Sequence, residues 1–210
     1  MFLKIKYFAA FTAFLIIGAC GKKEVAEYAH YLTDTDSGLI QKQSRNKMQF
    51  SATYQPIDFV AGKKLEGNER NAVGLEKARQ IYLGLQYLNF EIYTEGGAAG
   101  QNSLKQLIEK QVREAKWVET MAYYNFEMQG DLGLISGIDT LPCALYHLEQ
   151  TGNLDNRMRF LLGFKDDKKL SKPNFPNDLK LYYIDRMVTK DTLYFTFTKD
   201  KLNQSPDLKL

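Results

Sequence analysis

The sequence has few of the residues from which catalytic and metal sites are usually built. Its 210 residues include only two cysteines, Cys20 and Cys143, and two histidines. With no tight cluster of acidic residues beside them, these side chains do not make the ligand set that a zinc ion requires. We therefore predict no metal site and no cofactor.

A concentration of positive charge is also missing. The net charge is +3, and removing Lys4 and Lys6 leaves +1 for residues 20–210, because residues 1–19 contain no acid. No run of five or more basic residues occurs, whereas proteins that bind nucleic acids through the phosphates present basic patches. The sequence therefore predicts no nucleic-acid partner.

The common motifs of nucleotide-binding proteins and serine hydrolases are absent as well. Residues 95–100 are glycine-rich and lie between a predicted strand and a predicted helix, where phosphate-binding loops occur. They match neither Gly-x-x-x-x-Gly-Lys-Ser/Thr nor Gly-x-Gly-x-x-Gly, and no Gly-x-Ser-x-Gly is found. We predict a connecting or partner-contacting loop here and assign no catalytic residue, although counting residues does not exclude a triad gathered from distant positions.

The one apolar run that stands out lies at the start of the chain, in residues 7–17. Lys4 and Lys6 precede it, and Gly18 and Ala19 place small side chains directly before Cys20. A basic segment, a short apolar segment and small residues before a cysteine form the lipobox of bacterial lipoproteins. We predict that residues 1–19 are a signal peptide cleaved between Ala19 and Cys20, and that Cys20 carries a lipid.

Two alternatives remain for this segment. A plain N-terminal membrane anchor needs about 20 apolar residues, and residues 7–17 are fewer. Cleavage at another site would release a secreted protein. If Cys20 carries a lipid, Cys143 is a lone thiol and no disulfide forms within the chain.

Residues 20–46 are polar and rich in turn-forming residues, without sustained periodicity. We predict a lipidated cysteine followed by a flexible tether, and a single sheet-rich domain over residues 47–210. A flexible coil of about 25 residues spans roughly 25–30 Å on average, enough to hold the domain clear of lipid headgroups. Asp34 and Asp36 suggest a calcium loop, but Arg45 stands where an EF-hand needs its glutamate, so we predict a solvated turn.

The remaining sequence alternates between strand and helix patterns, with strands in the majority. The periodicity predicts helices over residues 72–83 and 103–115, and strands over residues 48–54, 85–94, 121–129, 132–136, 141–149, 158–164, 179–187 and 193–198. Residues 189–192 predict a turn that joins the last two strands in a hairpin. The predicted fold class is α+β, a mainly antiparallel β-sheet or sandwich that carries one or two helices.

Cys143 and His147 are the one thiol and imidazole close enough in sequence to form a catalytic pair. On a helix, side chains four residues apart are neighbours at roughly 6 Å; on a strand they share a face about 13 Å apart, too far for proton transfer. Pro142 and the spacing of the nearby leucines favour a helix, whereas the flanking segments favour a sheet. We predict a strand, with Cys143 as a small buried apolar residue.

Two short aromatic runs, residues 123–126 and 182–183, alternate like the residues of a sheet. On a sheet, one member of each pair must face outward. We predict ordinary cross-strand packing for these residues, with a partner-binding patch as the alternative.

These features resemble a group of uncharacterised lipoproteins of the phylum Bacteroidota. The shared elements are the lipobox at Cys20, a short polar tether, a first strand that ends in Tyr-x-Pro-x-Asp, and a mixed sheet domain. The segments that carry the likeness are residues 50–54, 54–58 (Tyr-Gln-Pro-Ile-Asp), 141–149, 159–164 and 205–208 (Ser-Pro-Asp-Leu). The resemblance implies a sheet domain on a membrane lipid and supplies neither an activity nor site residues.

Together these observations predict a lipid-anchored protein of the cell envelope. We expect a non-enzymatic binding or accessory subunit of a membrane-associated assembly, held in the cell membrane or outer membrane by the lipid on Cys20, with a protein partner in the envelope. The domain would face the periplasm or the cell surface. The alternatives are an envelope enzyme of hydrolase type and a lipoprotein that binds a small ligand.

Overall fold

Eight strands form one antiparallel sheet in the order β1-β2-β3-β6-β5-β4-β7-β8. A computed structural model describes residues 23–94, 117–149, 157–167 and 174–210. The strands are β1 Ile40–Arg45, β2 Met48–Gln55, β3 Leu85–Thr94, β4 Leu132–Ser136, β5 Asp139–Glu149, β6 Arg157–Lys165, β7 Leu179–Ile184 and β8 Thr192–Phe197. The predicted class, a mainly antiparallel sheet with a few helices, is confirmed.

The sheet curls until its first and last strands approach each other, so that it is almost closed. Between β1 and β8, the Gln43 side-chain amide donates a hydrogen bond to the Tyr194 carbonyl. The period of two in each strand then separates an inner face from an outer one. In β8, Leu193, Phe195 and Phe197 are buried while Tyr194 is half exposed, as the sequence predicts.

Aromatic rings fill the middle of the curled sheet, with Phe90 at their centre. Its ring centroid lies 5.3 Å from Tyr183, 5.7 Å from Phe195, 6.2 Å from Phe160 and 6.5 Å from Phe50. All five side chains are buried. An eight-stranded enclosure is just wide enough for side chains to fill it, and here they make a solid core.

Five helices accompany the sheet in the described residues. They are α1 Val25–Thr33, α2 Ile57–Gly62, α3 Ala72–Tyr82, α4 Trp117–Ala122 and α5 Lys199–Asn203. The prediction of α3 is confirmed. Asn71 caps its start, where the side-chain oxygen accepts hydrogen bonds from the amides of Val73 at 3.0 Å and Gly74 at 2.9 Å. None of the helices in the described residues is long and apolar enough to cross a membrane.

The predicted tether is wrong for most of its length, because the chain folds from Lys23 onward. Residues 25–33 are helix α1, whose Tyr28 and Leu32 are buried one turn apart. Residues 40–45 are the edge strand β1. These two elements contribute apolar side chains and a strand to the domain, so the fold extends about 24 residues further toward the N-terminus than the expected boundary at residue 47. Within this segment the predicted turn at Asp34 and Asp36 is confirmed, since the Asp34 carboxylate accepts from the Asp36 amide.

The predicted strand over residues 121–129 is also wrong. After α4 the chain continues in a wide π-helical turn, Tyr123–Glu127, and a 3₁₀ turn, Met128–Asp131. Tyr123 and Tyr124 are both buried, while Phe126 is exposed. Two consecutive buried side chains suit a helical segment inserted into the end of a curled sheet, where both positions face protein.

Other predictions lie outside the described residues. These are the signal peptide, the cleavage site at Ala19, the lipid on Cys20, the loop at residues 95–100 and the helix at residues 103–115. The remaining strand predictions agree with the structure to within about three residues at each end, and β7 and β8 form the expected hairpin.

The two ends of the curled sheet differ, and we name them by what they contain. Neighbouring strands are antiparallel, so β2, β6 and β8 end at the edge where β3 and β7 begin. Helices α1, α2 and α5 lie near this edge, which we call the pocket end. At the opposite edge, where β4 begins and β7 ends, the turns of the segment 117–131 pack against β4, β5 and β7. We call that edge the tyrosine end.

Candidate functional site

The candidate site is a small pocket at the pocket end of the sheet. Its lining includes the end of β2, the start of β3, Asp166 after β6, Tyr28 from α1, Phe175, and residues 205–207. The enclosed space measures about 40 Å³. A water molecule needs about 10–15 Å³ measured in this way, so the pocket has room for roughly three waters or a group of similar size.

A chain of buried hydrogen bonds forms one wall. The Tyr54 hydroxyl donates to Gln86 Oε1 at 2.9 Å, and Gln86 Nε2 donates to Asp166 Oδ2 at 2.8 Å. Burial raises the pKa of Tyr54, and the charge of Asp166 raises it further. The phenol therefore stays protonated at neutral pH and acts as a hydrogen-bond donor.

A half-buried ion pair lies behind a second wall. Arg79 of α3 binds Asp58 of α2 through two parallel hydrogen bonds, at 2.5 Å to Oδ1 and 2.6 Å to Oδ2. Arg79 also binds Glu76 at 2.8 Å, and its bonds to Asp58 raise the pKa of the guanidinium. Arg79 is thus fully engaged, and it fixes the Asp58 carboxylate at the pocket edge.

The third wall is built where the start of the described chain meets residues 205–209. The Lys23 amide donates to the Asp207 carbonyl at 2.9 Å, and the Lys209 amide donates to the Lys23 carbonyl at 2.7 Å. Leu208 is buried against Gly62 at the end of α2, where any side chain in place of the glycine hydrogen would collide with it. These contacts hold Asp207 beside the pocket.

Two buried polar side chains line the pocket without a hydrogen-bond partner in the described part of the chain. Tyr28 is 1% exposed and Gln55 is 4% exposed, and neither the Tyr28 hydroxyl nor the Gln55 amide donates to or accepts from a described residue. The Tyr28 ring stacks on Phe59 at 5.4 Å. Burial raises the pKa of Tyr28, and the charges of Asp58 and Asp207 raise it further, which places the hydroxyl on the side of the pocket acids.

The tyrosine end also buries charged groups, but there the chain itself binds them. Asp185 is 1% exposed, and its carboxylate accepts from the amides of Met187, Val188 and Thr189 at 3.0, 3.1 and 2.7 Å. The Tyr183 hydroxyl donates to it as well, at 3.2 Å.

A second carboxylate at this end is bound in the same way. Asp131 accepts from the Tyr123 hydroxyl at 3.0 Å and pairs with Arg186. The Tyr124 hydroxyl is the exception, because it is fully buried and has no partner among the described residues. The carboxylates of Asp131 and Asp185 thus stabilise the fold at this end.

Cys143 and His147 do not form a catalytic pair. The predicted strand is confirmed, but a bulge between Cys143 and Leu145 shifts the register, so that Cys143 pairs with inward-facing Phe164 and His147 with outward-facing Leu161. The two side chains therefore lie on opposite faces, not on the shared face that the spacing predicts. Burial raises the pKa of Cys143 to about 12, which leaves a neutral, poorly reactive thiol.

The aromatic pair at residues 182–183 packs across strands as predicted. Tyr183 faces the core, and Tyr182 lies on the outer face opposite Tyr194 of β8. The ring of Tyr182 covers Gly133 of β4, where a larger residue would collide with it. Phe126 lies near Tyr182 and Gly133 and is exposed, as is Tyr194.

Among the described residues no group of three His, Cys, Asp or Glu side chains is placed to hold a metal ion. Comparisons with protein families, with curated proteins and with solved structures found no match to this chain. Sequence reasoning named the segments 54–58 and 205–208 without assigning them a role. The structure brings both to the same pocket, together with Tyr28, Gln86 and Asp166, for which the sequence gives no local signal.

Proposed function

We propose that the protein is a non-enzymatic binding protein of the bacterial cell envelope, anchored to a membrane by a lipid on Cys20. The observation that carries the proposal is the lipobox, in which basic, apolar and small residues precede that cysteine. One acyl chain gives only marginal attachment, whereas two or three hold a protein permanently, because each buried methylene contributes about 0.8 kcal/mol.

The start of the fold at Lys23 supports a domain that lies close to the lipid. Two residues, Gly21 and Lys22, separate Cys20 from Lys23, and an extended chain spans at most about 11 Å over these three steps. Lys23 is paired with Leu208 beside the pocket. A lipid on Cys20 would therefore hold the pocket end next to the headgroups, instead of on the long tether that the sequence suggests.

The chemistry of the pocket favours binding over catalysis. No cysteine or histidine lines it among the described residues, and the hydroxyl of Ser205, its one serine, is bound to the Leu202 carbonyl at 2.8 Å. No nucleophile is therefore paired with a base. The unpartnered Tyr28 hydroxyl and Gln55 amide are instead groups that a bound molecule can satisfy.

Metabolic labelling in a bacterial host tests the anchor. A clickable fatty acid should label the wild-type protein, which should pellet with membranes as a shortened chain. The variant Cys20→Ala should lose the label and the processing. As a matched control, Cys143→Ala removes the other cysteine and should keep both. An unlabelled wild-type protein, or a processed Cys20→Ala chain that still pellets with membranes, would contradict the proposal.

A further inference from the structure

We infer that one side of helix α3 docks on the anionic phospholipids of the membrane that holds the chain. The inference rests on the proposed lipid anchor, which brings the helix to that membrane. Its first ground is a pair of apolar side chains on α3, since Val73 is 66% exposed and Ile81 is 78% exposed. Lys77, also exposed, lies four residues from each, so the three side chains follow one side of the helix. We call them the α3 ridge.

The opposite side of α3 is held by the domain, so the ridge points in a fixed direction. Leu75 and Ala78 are buried there, and Arg79 binds Asp58 of α2 through two hydrogen bonds. The apolar side chains of the ridge contribute nothing to this packing, because burial stabilises only the surface that it removes from water. Two such side chains on one helix face therefore indicate a surface that contacts something outside the domain.

The charges beside the ridge suit an anionic surface. A groove between α3 and the loop before it is lined by Lys64, Val73, Lys77 and Ile81, with one acid, Glu69. Both lysines are exposed, and neither forms an ion pair with a described residue. Apolar side chains beside lysines are typical of helices that lie in the headgroup region of a membrane, and each lysine near an anionic bilayer strengthens binding about fivefold.

A series of short steps connects the anchor to the ridge. Lys23 lies at most about 11 Å from Cys20 along an extended chain, and it pairs with Leu208. Leu208 packs against Gly62 at the end of α2, and Lys64 follows two residues later. Each step is a direct contact or a run of three residues or fewer, so the ridge lies within reach of the bilayer that holds Cys20.

The anchor also explains why a small surface is sufficient. A free protein needs many contacts to bind a bilayer, because association costs translational and rotational freedom. An anchored domain has already lost most of that freedom and stays at a high effective concentration beside the lipid. Two apolar side chains and two lysines then decide whether the domain lies on the membrane or stands away from it.

A fluorescent dye on residue 73 tests the docking. The full chain with Val73→Cys is purified from bacterial membranes, labelled with a dye that responds to polarity, and placed in phosphatidylcholine vesicles with or without phosphatidylglycerol. The label should be selective, because a lipid occupies the Cys20 sulfur and Cys143 is a neutral, poorly reactive thiol. In the anionic vesicles the emission should shift to the blue, and a quencher attached to the lipid should reduce it.

A matched control places the same dye at the other end of the sheet. Val118 of α4 is 76% exposed and belongs to the tyrosine end. The dye on Val118→Cys should stay in water in both kinds of vesicle, since the anchor holds the pocket end and not the tyrosine end beside the lipid.

Charge variants test the role of the two lysines. In the Val73→Cys chain, Lys64→Gln and Lys77→Gln should each lower the ratio of docked to undocked protein about fivefold, and about thirtyfold together. Lys47→Gln with Lys190→Gln removes two exposed lysines at the tyrosine end and should leave the ratio unchanged. Thermal unfolding of each variant in detergent separates lost docking from lost fold.

The inference fails if the dye on residue 73 stays in water in both vesicles, which would leave the ridge to a protein partner. It also fails if the blue shift is the same without phosphatidylglycerol or in the lysine variant, because the charges would then play no part. Mass spectrometry of the chain before labelling reports the lipid on Cys20 separately. A lipidated chain with an undocked dye contradicts this inference alone, whereas a chain without the lipid contradicts the proposed anchor.

Discussion

The two ends of the sheet bury polar groups in opposite ways. At the tyrosine end, Asp185 and Asp131 accept hydrogen bonds from backbone amides, phenols and an arginine of the same chain. At the pocket end, Tyr28 and Gln55 are equally buried but line a space and bind nothing in the described residues. A buried group satisfied by its own chain stabilises the fold, whereas a buried group facing a space is available to a ligand.

Raising the pH above about 10 should give the largest loss of stability. The loss should come mainly from the tyrosine end. Burial raises the pKa of seven tyrosines: Tyr28, Tyr54, Tyr87, Tyr123, Tyr124, Tyr146 and Tyr183. An unfolded tyrosine ionises near pH 10. Because the folded pKa is higher, stability is complete below about pH 10 and falls as the pH rises above it.

At about pH 11 these tyrosines are largely ionised in the unfolded chain but resist ionisation in the folded one, so each lowers the free energy of unfolding and their effects act together. We expect cooperative unfolding near that pH, followed by circular dichroism, with the tyrosinate absorbance rising in the same transition. A gradual rise of absorbance while the fold persists would show that the phenols are accessible to solvent.

Removal of the Asp185 carboxylate should give the next largest effect. Asp185→Ala leaves three backbone amides and the Tyr183 hydroxyl without their acceptor, which should cost about 3 kcal/mol or more. Urea unfolding measures this loss. Asp191→Ala, in the same turn but exposed, is the matched control and should change stability by less than about 0.5 kcal/mol. Equal losses in the two variants would contradict the role of Asp185.

The thiol of Cys143 reports whether the tyrosine end stays closed. The Gln129 side chain, in the segment inserted there, donates to the Cys143 carbonyl at 2.8 Å. Since burial raises the pKa of the thiol to about 12, alkylation at neutral pH should be at least about a hundredfold slower than in denaturant. Comparable rates in the two conditions would mean that the segment 117–131 opens readily.

Removing one buried tyrosine hydroxyl at each end of the sheet should give the smallest changes in stability. Tyr124→Phe removes a sealed hydroxyl without a partner and should leave stability unchanged or raise it by up to about 1 kcal/mol. Tyr28→Phe removes a hydroxyl that faces the pocket and should change stability by less than about 0.5 kcal/mol. Thermal unfolding of the two variants measures the contrast, and a larger gain of stability in Tyr28→Phe than in Tyr124→Phe would contradict it.

Much of the sheet is predictable from local periodicity. In β2, β3 and β8 the apolar residues repeat every second position, and these strands are found where the pattern places them. The segment wrongly predicted as a tether carries the signals of a helix. Tyr28 and Leu32 are four residues apart, as on a helix face, and Glu24 with Glu27 forms a capping box, but the polar residues around them suggested a tether.

The pocket was beyond prediction because its groups come from segments far apart in sequence. Gln86 and Asp166 are 80 residues apart and meet only because β3 pairs with β6. Tyr28 joins them through the packing of α1 on α2. A bulge near Cys143 likewise has no signature in the periodicity, yet it moves His147 to the other face of β5.

The pairing of Lys23 with Leu208 has a consequence for the order in which the protein folds. The strands of the sheet end at Phe197, so their pairing does not require residues 206–209. The wall that contains Asp207 closes only when those residues return to Lys23. The strands can therefore pair before the pocket is complete, and substitutions at Leu208 or Gly62 should slow the closing of that wall more than the pairing of the strands.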